Sequence, residues 1–358
     1  MGVVRVAYTL EQCWHDAPGG TAVAAIQIAR RLARRGDVTL AAVAGRHRAE
    51  PAEPWRPPLA VAQLPLPRPL LYESWLRLRR PHVERVTGPV DVAHATGLVP
   101  CATRAPLVVT IHDVAWIHDP GRHTRQGRRV MSRSLDVARA EARLVVTSSE
   151  ASRRDLEACG IEASRVRVIP LGVDVPTAGA ASIADVRCRY RLPERFVLFV
   201  GTLEPRKNLR RLAAATPRSE TGLPLVVAGP PGWGGAVDGI TGDVRFLGFV
   251  PGGDLPALYA ASSVFAYPSE AEGFGLPVLE AMAQGAPVVT SAGTSTEEVA
   301  GGAAVLVDPL DIDAIAAGID EAVGRAAELA EAGLRRAGAM SWDDAAARTA
   351  AVYVEAAA

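Results

Sequence analysis

Lysine and asparagine are nearly absent from this chain of 358 residues. Of its 39 basic side chains 38 are arginine, and the single lysine and single asparagine are neighbours, Lys207-Asn208. Where guanidinium serves for every other cation, a lone ammonium marks either a task a guanidinium cannot do or a chance survivor on the surface. The four cysteines (Cys13, Cys101, Cys159, Cys188) lie far apart and form no C-x-x-C pair. That argues against structural zinc and a disulfide framework, and makes a reducing compartment the expectation. No stretch nears the ~18 consecutive apolar residues of a membrane span. Residues 1–8 read as a buried strand with no basic leader, so no secretory signal is expected and the location is expected to be cytoplasmic. No G-x-x-x-x-G-K is present, which excludes a Walker loop. No G-x-G-x-x-G follows the first strand, and Gly229-Pro-Pro-Gly-Trp-Gly-Gly235 has the wrong spacing, so a nicotinamide dehydrogenase is disfavoured.

What is present is enough chain for two domains. Apolar residues make up 49% and charged residues 22%, a composition that buries a core and argues against disorder. Net charge is zero but uneven: residues 1–170 hold 25 arginines against 16 acids, and the remainder holds 14 bases against 23 acids. The first half therefore suits something anionic, such as a phosphorylated acceptor or a lipid surface. Nucleic acid is not expected, because the arginines are scattered over many segments.

Short continuous apolar runs alternate with helical patterns from end to end. Strands are expected at 3–8, 38–43, 107–111, 144–147 and 166–169, then at 196–200, 225–228, 244–247, 264–267, 287–290 and 304–307. That pattern predicts α/β architecture: two doubly wound, Rossmann-like domains with parallel sheets covered on both faces. The expected divisions are residues 1–172, a Pro-, Gly- and Ala-rich linker or hinge at 173–192, a second domain at 193–340, and a terminal helix at 341–358. Ser341 caps that helix, which carries Trp342, Ala346, Thr349 and Tyr353 on one face.

In open α/β sheets ligands bind beyond the carboxyl ends of the strands. Three such places stand out. Gly19 and Gly20 meet the start of a helix, where amide groups and the dipole suit a phosphate, although two glycines there also make an ordinary turn. Gly201-Thr202 follows the strand at 196–200, and Arg206 and Lys207 come at the next helix, a planar fork beside a point charge for a diphosphate. The third, Glu272-Gly273-Phe274-Gly275-Leu276-Pro277-Val278-Leu279-Glu280, follows the strand at 264–267. Pro277 suits a first helical turn, which places Gly273 and Gly275 in the approach loop with exposed amides. Glu280 is expected near the top of that helix, ionised by the dipole and able to accept hydrogen bonds from vicinal hydroxyls; Glu272 is a second such acceptor. A solvated acidic loop capping its helix is the plainer alternative.

Glu272 and Glu280, with seven residues between them, resemble the E-x7-E motif of the retaining family-four glycosyltransferases of the GT-B fold. Gly201-Thr-Leu-Glu-Pro-Arg-Lys-Asn208 is similar to the diphosphate loop of a subgroup that includes many bacterial mannosyltransferases. Pro18-Gly-Gly20, Thr110-Ile-His-Asp113, Val146–Asp155, Ile169–Asp174, Phe246–Phe249 and Ser341-Trp-Asp343 resemble other family stretches, in order along nearly the whole chain. The resemblance implies two domains facing across a cleft, with a final helix crossing back to the first. It implies a hexosyl group moved from a nucleoside-diphosphate sugar, the donor, to a hydroxyl acceptor that is a glycan, a lipid-linked sugar or a small molecule, without metal or other cofactor. By position, Arg206 and Lys207 hold the donor diphosphate, Gly201 and Thr202 form its loop, and Gly19 and Gly20 approach it. Glu280 binds the ribose, and Glu272 binds the transferred sugar beside the amides of Gly273, Phe274, Gly275 and Leu276. Phe249 and Val250 lie near the base, and His112 contacts the donor sugar. The family usually carries Arg directly after the glycine of the diphosphate loop, where this chain has Thr202.

All seven histidines precede residue 124. The alternative for His112 is a metal site with Asp113, His118 and Asp119, as in a hydrolase. Leu71, Trp75 and Leu78 lie at helical spacing with Arg77, Arg79 and Arg80 alongside; such a helix packs inward or touches an anionic membrane peripherally. Two other functions share the architecture. A nucleotide-sugar epimerase needs acid–base groups that the second half lacks as histidine, and a non-catalytic nucleotide-sugar-binding protein would not need His112, Glu272 and Lys207 together.

Overall fold

The computed structural model describes residues 2–358 apart from 16–17, 119–123, 175, 233 and 236, with only the backbone of His118. The chain divides into two compact units, Met1–Leu171 with Trp342–Ala358, and Gly172–Ser341.

The first unit is built on seven strands: β1 Val4–Thr9, β2 Val38–Ala44, β3 Val61–Gln63, β4 Val92–Ala95, β5 Leu107–Thr110, β6 Ala142–Thr147 and β7 Val166–Val168. All pair in parallel in the order β3-β2-β1-β4-β5-β6-β7. The second has six: β8 Val197–Val200, β9 Leu225–Ala228, β10 Val244–Gly248, β11 Val264–Tyr267, β12 Val288–Ser291 and β13 Val305–Val307. These are also parallel, in the order β10-β9-β8-β11-β12-β13. Every residue of β4, β5, β8, β9, β11 and β12 is buried, the reason β8, β9 and β11 read as unbroken apolar runs instead of alternating ones. Strand order reverses between β1 and β4 in one unit and between β8 and β11 in the other, and a doubly wound sheet offers its ligand crevice at that point.

Two strands escape the sequence pattern. β3 is a three-residue edge strand in a proline-rich stretch, and β4 carries a histidine in an otherwise apolar run. The segment 173–192, expected as a linker, carries the helix Ala180–Arg189. It is docked within the second unit: Val186 is buried, Arg187 donates to the Ala261 carbonyl at 2.7 Å, and Arg189 pairs with Asp254.

The helix Trp342–Ala357 packs on the first unit, burying Trp342, Ala346, Thr349 and Tyr353. The Tyr353 hydroxyl is 2.6 Å from Nδ1 of His94, at the centre of β4, and His94 Nε2 is 2.8 Å from the Thr110 hydroxyl on β5. Burial lowers His94 to a pKa of about 3, so it is a neutral structural imidazole.

The helix Arg68–Leu78 turns Leu71, Trp75 and Leu76 inward, whereas Leu78, expected on the apolar stripe, is 70% exposed. The helix stops there because Arg79 takes a left-handed conformation (φ 51°) and is pinned through the carbonyls of Trp75, Pro100 and Cys101. Leu78 thus sits on a terminal turn, and Leu76 supplies the third inward contact.

Candidate active site

In the second unit the loops after β8 and β11 converge at the reversal of strand order. Residues Pro205–Lys207 form one 3₁₀ turn, and Asn208 adopts φ 60° before the helix Leu209–Ala215. Asparagine is among the few side-chain-bearing residues that enter this region readily. Its amide fixes the bend by donating to the carbonyls of Pro268 (2.9 Å) and Pro309 (2.5 Å). The unique Lys207-Asn208 pair is therefore buried, not a surface remnant.

Lys207 Nζ donates to Oε1 of Glu272 and to the Tyr267 hydroxyl, both at 2.5 Å. Oε1 also accepts from Tyr267 (3.0 Å) and Ser269 (2.7 Å), while Oε2 accepts from Arg206 Nη1 at 2.9 Å. Arg206 is held in turn by Glu204 and the Ala271 carbonyl. Burial alone would raise the Glu272 carboxyl, but Arg206 and Lys207 hold it at about 2, fully ionised. Burial lowers the Lys207 pKa, and the bond to Glu272 opposes that shift. Among the described residues two of the three ammonium protons are engaged, leaving one for a ligand.

The loop above is tightly braced. Gly229 (φ 149°) lies so close that a Cβ there would come within 1.9 Å of the Gly201 carbonyl oxygen, and one at Gly232 within 2.2 Å of that of Leu203. Gly229, Gly232 and Gly234, from a stretch with the wrong spacing for a dinucleotide fingerprint, instead lie against Gly201, Leu203 and Pro205, with a bridge between Leu203 and Pro231. Thr202 is half-buried in that loop.

The approach loop Gly273–Gly275 leads into the helix Leu276–Ala283, with Gly275 at φ 107°. The amides of Gly275 and Leu276 donate no hydrogen bond among the described residues. Phe274 and Leu276 turn their side chains into the core. Glu280 departs from expectation. It is the fifth helical residue, beyond the first turn where the dipole acts, and burial raises its pKa instead. The Tyr259 hydroxyl donates to its Oε2 at 2.9 Å and partly offsets that rise. Phe249 is 60% exposed, whereas the Val250 side chain is buried and can offer a ligand only its backbone.

In the first unit Gly19 and Gly20 are exposed at the start of the helix Gly19–Leu32, after β1. His112 follows β5, its Nδ1 3.5 Å from the Ser148 hydroxyl, and burial lowers its pKa. It lines a cavity of about 560 Å³ with Glu11, Gln12, Asp113 and Trp116. Among the described residues no three His, Cys, Asp or Glu side chains converge as a metal would require. Asp119 and the His118 side chain, from the alternative metal set, lie outside the described residues. Sequence reasoning missed Tyr267 and Ser269, which share Glu272 with Lys207, and Tyr259 beneath Glu280. Tyr267 and Ser269 flank the carboxyl end of a buried strand, and polar side chains there were the available signal.

The Glycosyltransferase Family 4 model matches residues 18–176, and the model described as Glycosyl transferases group 1 matches residues 194–324. The O-antigen chain mannosyltransferase B of Escherichia coli is 37% identical over 264 residues, 69% of each chain. The chain belongs to the family-four glycosyltransferases. A D-inositol 3-phosphate glycosyltransferase of Salinispora arenicola is 34% identical over 323 residues, covering 77% of this chain and 71% of that one. The fold of this family-four glycosyltransferase is GT-B. The Anabaena HepE protein, solved with UDP and glucose, superposes with a TM-score of 0.75 at 21% identity, over 98% of this chain and 100% of that one. WaaG, a glycosyltransferase involved in lipopolysaccharide biosynthesis, gives 0.71 at 18% identity over 97% and 99%. No helix among the described residues is long and apolar enough to cross a membrane.

Proposed function

We propose that this glycosyltransferase moves a hexosyl group from a nucleoside-diphosphate sugar to a hydroxyl of a sugar or cyclitol acceptor, with retention at the anomeric carbon and without a bound metal. The observation that carries the reading is the Lys207–Glu272–Arg206 cluster at the strand-order reversal of the second unit. As the glycosidic bond breaks, negative charge develops on the leaving diphosphate. The remaining Lys207 proton, the Arg206 guanidinium and the amides of Gly275 and Leu276 are fixed donors for that charge. One such preorganised contact typically contributes ~2.7–4 kcal/mol to lowering the barrier. Those cations do the work a divalent metal would otherwise do.

Glu272 has a paired role. Its carboxylate holds both cations in place, and its ionised form accepts hydrogen bonds from hydroxyls of the transferred sugar. Glu280 and Tyr259 form a ribose-binding pair, Phe249 offers an exposed ring to the base, and Gly19, Gly20 and the neutral His112 of the first unit contribute to the donor's diphosphate and sugar. Retention rests on the family resemblance. The names of the relatives include both a glycan-chain mannosyltransferase and inositol-phosphate transferases, which supports a polyhydroxylated acceptor.

The test is a panel of UDP-, GDP- and dTDP-sugars scored by thermal shift and by mass spectrometry of released nucleotide. The anomeric configuration of any product is then read by NMR. Failure of every sugar nucleotide to bind or turn over, or a product of inverted configuration, refutes the corresponding part of the reading.

A further inference from the structure

The first half of the chain is strongly basic, yet among the described residues that line the cavity beside His112 there is no arginine. That lining includes Thr9, Glu11, Gln12, His15, Asp113 and Trp116. Two arginines of this unit have backbone partners: Arg68 donates to the Trp14 carbonyl at 3.2 Å, its charge answered by Glu11 in the wall, and Arg133 donates to that of Leu76 at 2.9 Å. Two carboxylates line the wall with no cation among the described lining residues to answer a phosphate. Apolar walls with a few placed polar groups suit a compact neutral ligand. The Trp116 indole N–H is buried with no acceptor among the described residues, a donor that a ligand oxygen would satisfy.

A second cavity, of about 460 Å³, adjoins the first: His15 lines both. Its wall is aromatic. Trp14 stacks on His47 with ring centres 4.5 Å apart and planes 9° from parallel, and its indole N–H is fixed on the Ala49 carbonyl at 2.9 Å. Trp55 stands half-buried on the same wall. The charges there are of both signs, and Glu50 and Glu53 are already paired with Arg56. Rigid amphipathic rings with a balanced polar rim suit the apolar face and hydroxyl edge of a sugar better than a phosphate or a hydrocarbon chain.

We propose that the acceptor is an uncharged oligosaccharide of at least two residues, its reacting sugar in the 560 Å³ cavity and the next sugar against Trp14 and Trp55. The proposal rests on the glycosyl-transfer reading and narrows its acceptor. The two cavities act as inner and outer subsites, and the shared His15 marks where the glycosidic link passes from one to the other.

The experiment uses the full chain with whichever sugar nucleotide it turns over. Acceptors are uncharged methyl glycosides one, two and three residues long, the matching sugar phosphates, and D-inositol 3-phosphate, with transfer followed by mass spectrometry. Expected is a kcat/KM at least tenfold higher for two residues than for one, and lower for each phosphorylated acceptor. Trp55→Ala should remove about tenfold from the longer acceptors' advantage, and Trp55→Phe, which keeps a stacking ring, should restore most of it. A thermal shift with the sugar nucleotide confirms that both variants are folded. A monosaccharide or phosphorylated acceptor as the best substrate, or an unchanged length preference in Trp55→Ala, overturns the proposal while leaving donor turnover intact. Absence of donor binding and turnover overturns the underlying reading instead.

Discussion

Nζ of Lys207 lies 2.5 Å from Oε1 of Glu272, and Arg206 closes on the other oxygen of the same carboxylate at 2.9 Å. Three ionised groups therefore share one buried site, and removing different members has different consequences. Lys207→Ala leaves Glu272 still answered by Arg206, so the protein should remain folded while kcat falls about 10²–10³-fold through loss of one fixed donor. Lys207→Arg should not rescue it, because a planar guanidinium does not fit a point-charge site enclosed by Tyr267, Ser269 and Glu272. Steady-state kinetics with thermal melting checks both; a near-normal kcat in either variant contradicts the mechanism.

Glu272→Ala leaves the buried Lys207 and the half-buried Arg206 beside each other without their shared carboxylate. Breaking a buried pair on one side typically costs ~3–5 kcal/mol, so this variant should melt well below Lys207→Ala as well as losing turnover. Urea unfolding of the two variants side by side gives the comparison. Equal stability would mean that Glu204 answers the cations unaided.

Tyr259 reaches the chemistry only through Glu280. Tyr259→Phe removes the hydroxyl that fixes Oε2 and lets burial push the Glu280 carboxyl further up. If Glu280 grips the ribose equally in ground and transition states, the donor KM should rise several-fold with kcat nearly unchanged. A loss in kcat at constant KM would place Glu280 nearer the reacting bond.

Gly229 has no room for a side chain, since a Cβ would sit 1.9 Å from the Gly201 carbonyl oxygen. Gly229→Ala should either unfold the second unit or displace the diphosphate loop, at roughly 3 kcal/mol or more. Gly253→Ala, where a Cβ meets nothing within 4 Å, should change stability by no more than about 0.5 kcal/mol. Melting curves of the pair separate close packing from glycine flexibility.

The strands and the two glutamates were legible because buried parallel strands are nearly pure apolar runs and because motif glycines and prolines mark helix starts. β4 was not, since His94 breaks its run, and only the tertiary bonds to Tyr353 and Thr110 make that histidine a core residue. The direction in which the Glu280 pKa moves was hidden for a related reason. Sequence shows its distance from the helix start but not the burial that raises its carboxyl. Tyr267, Ser269 and the cavity around Glu11 and His15 depend on which loops the sheets bring together, which spacing along the chain does not encode.

His94 should make the protein acid-sensitive in a defined window. Its folded pKa is about 3, and burial is the largest cause of the shift, against an unfolded value near 6.5. Between those values the unfolded chain binds a proton that the folded chain does not, so stability rises with pH there. Above about 6.5 the contribution is constant; as pH falls below it, stability is lost at up to about 1.4 kcal/mol per pH unit. Glu272 acts in the same direction but lower down: its stabilisation is present above an unfolded pKa near 4.5 and is lost as pH falls toward 2. Melting temperatures at pH 7.5, 6.5, 5.5 and 5.0 span a range in which Glu272 stays ionised; His112, also lowered by burial, acts in the same direction there, so the share of His94 is read from a variant. His94→Gln keeps hydrogen-bonding groups facing Tyr353 or Thr110 but does not titrate, so it should be less stable at pH 7.5 yet lose less on acidification. Parallel pH curves for the variant and the parent protein would show that His94 is not the group that charges.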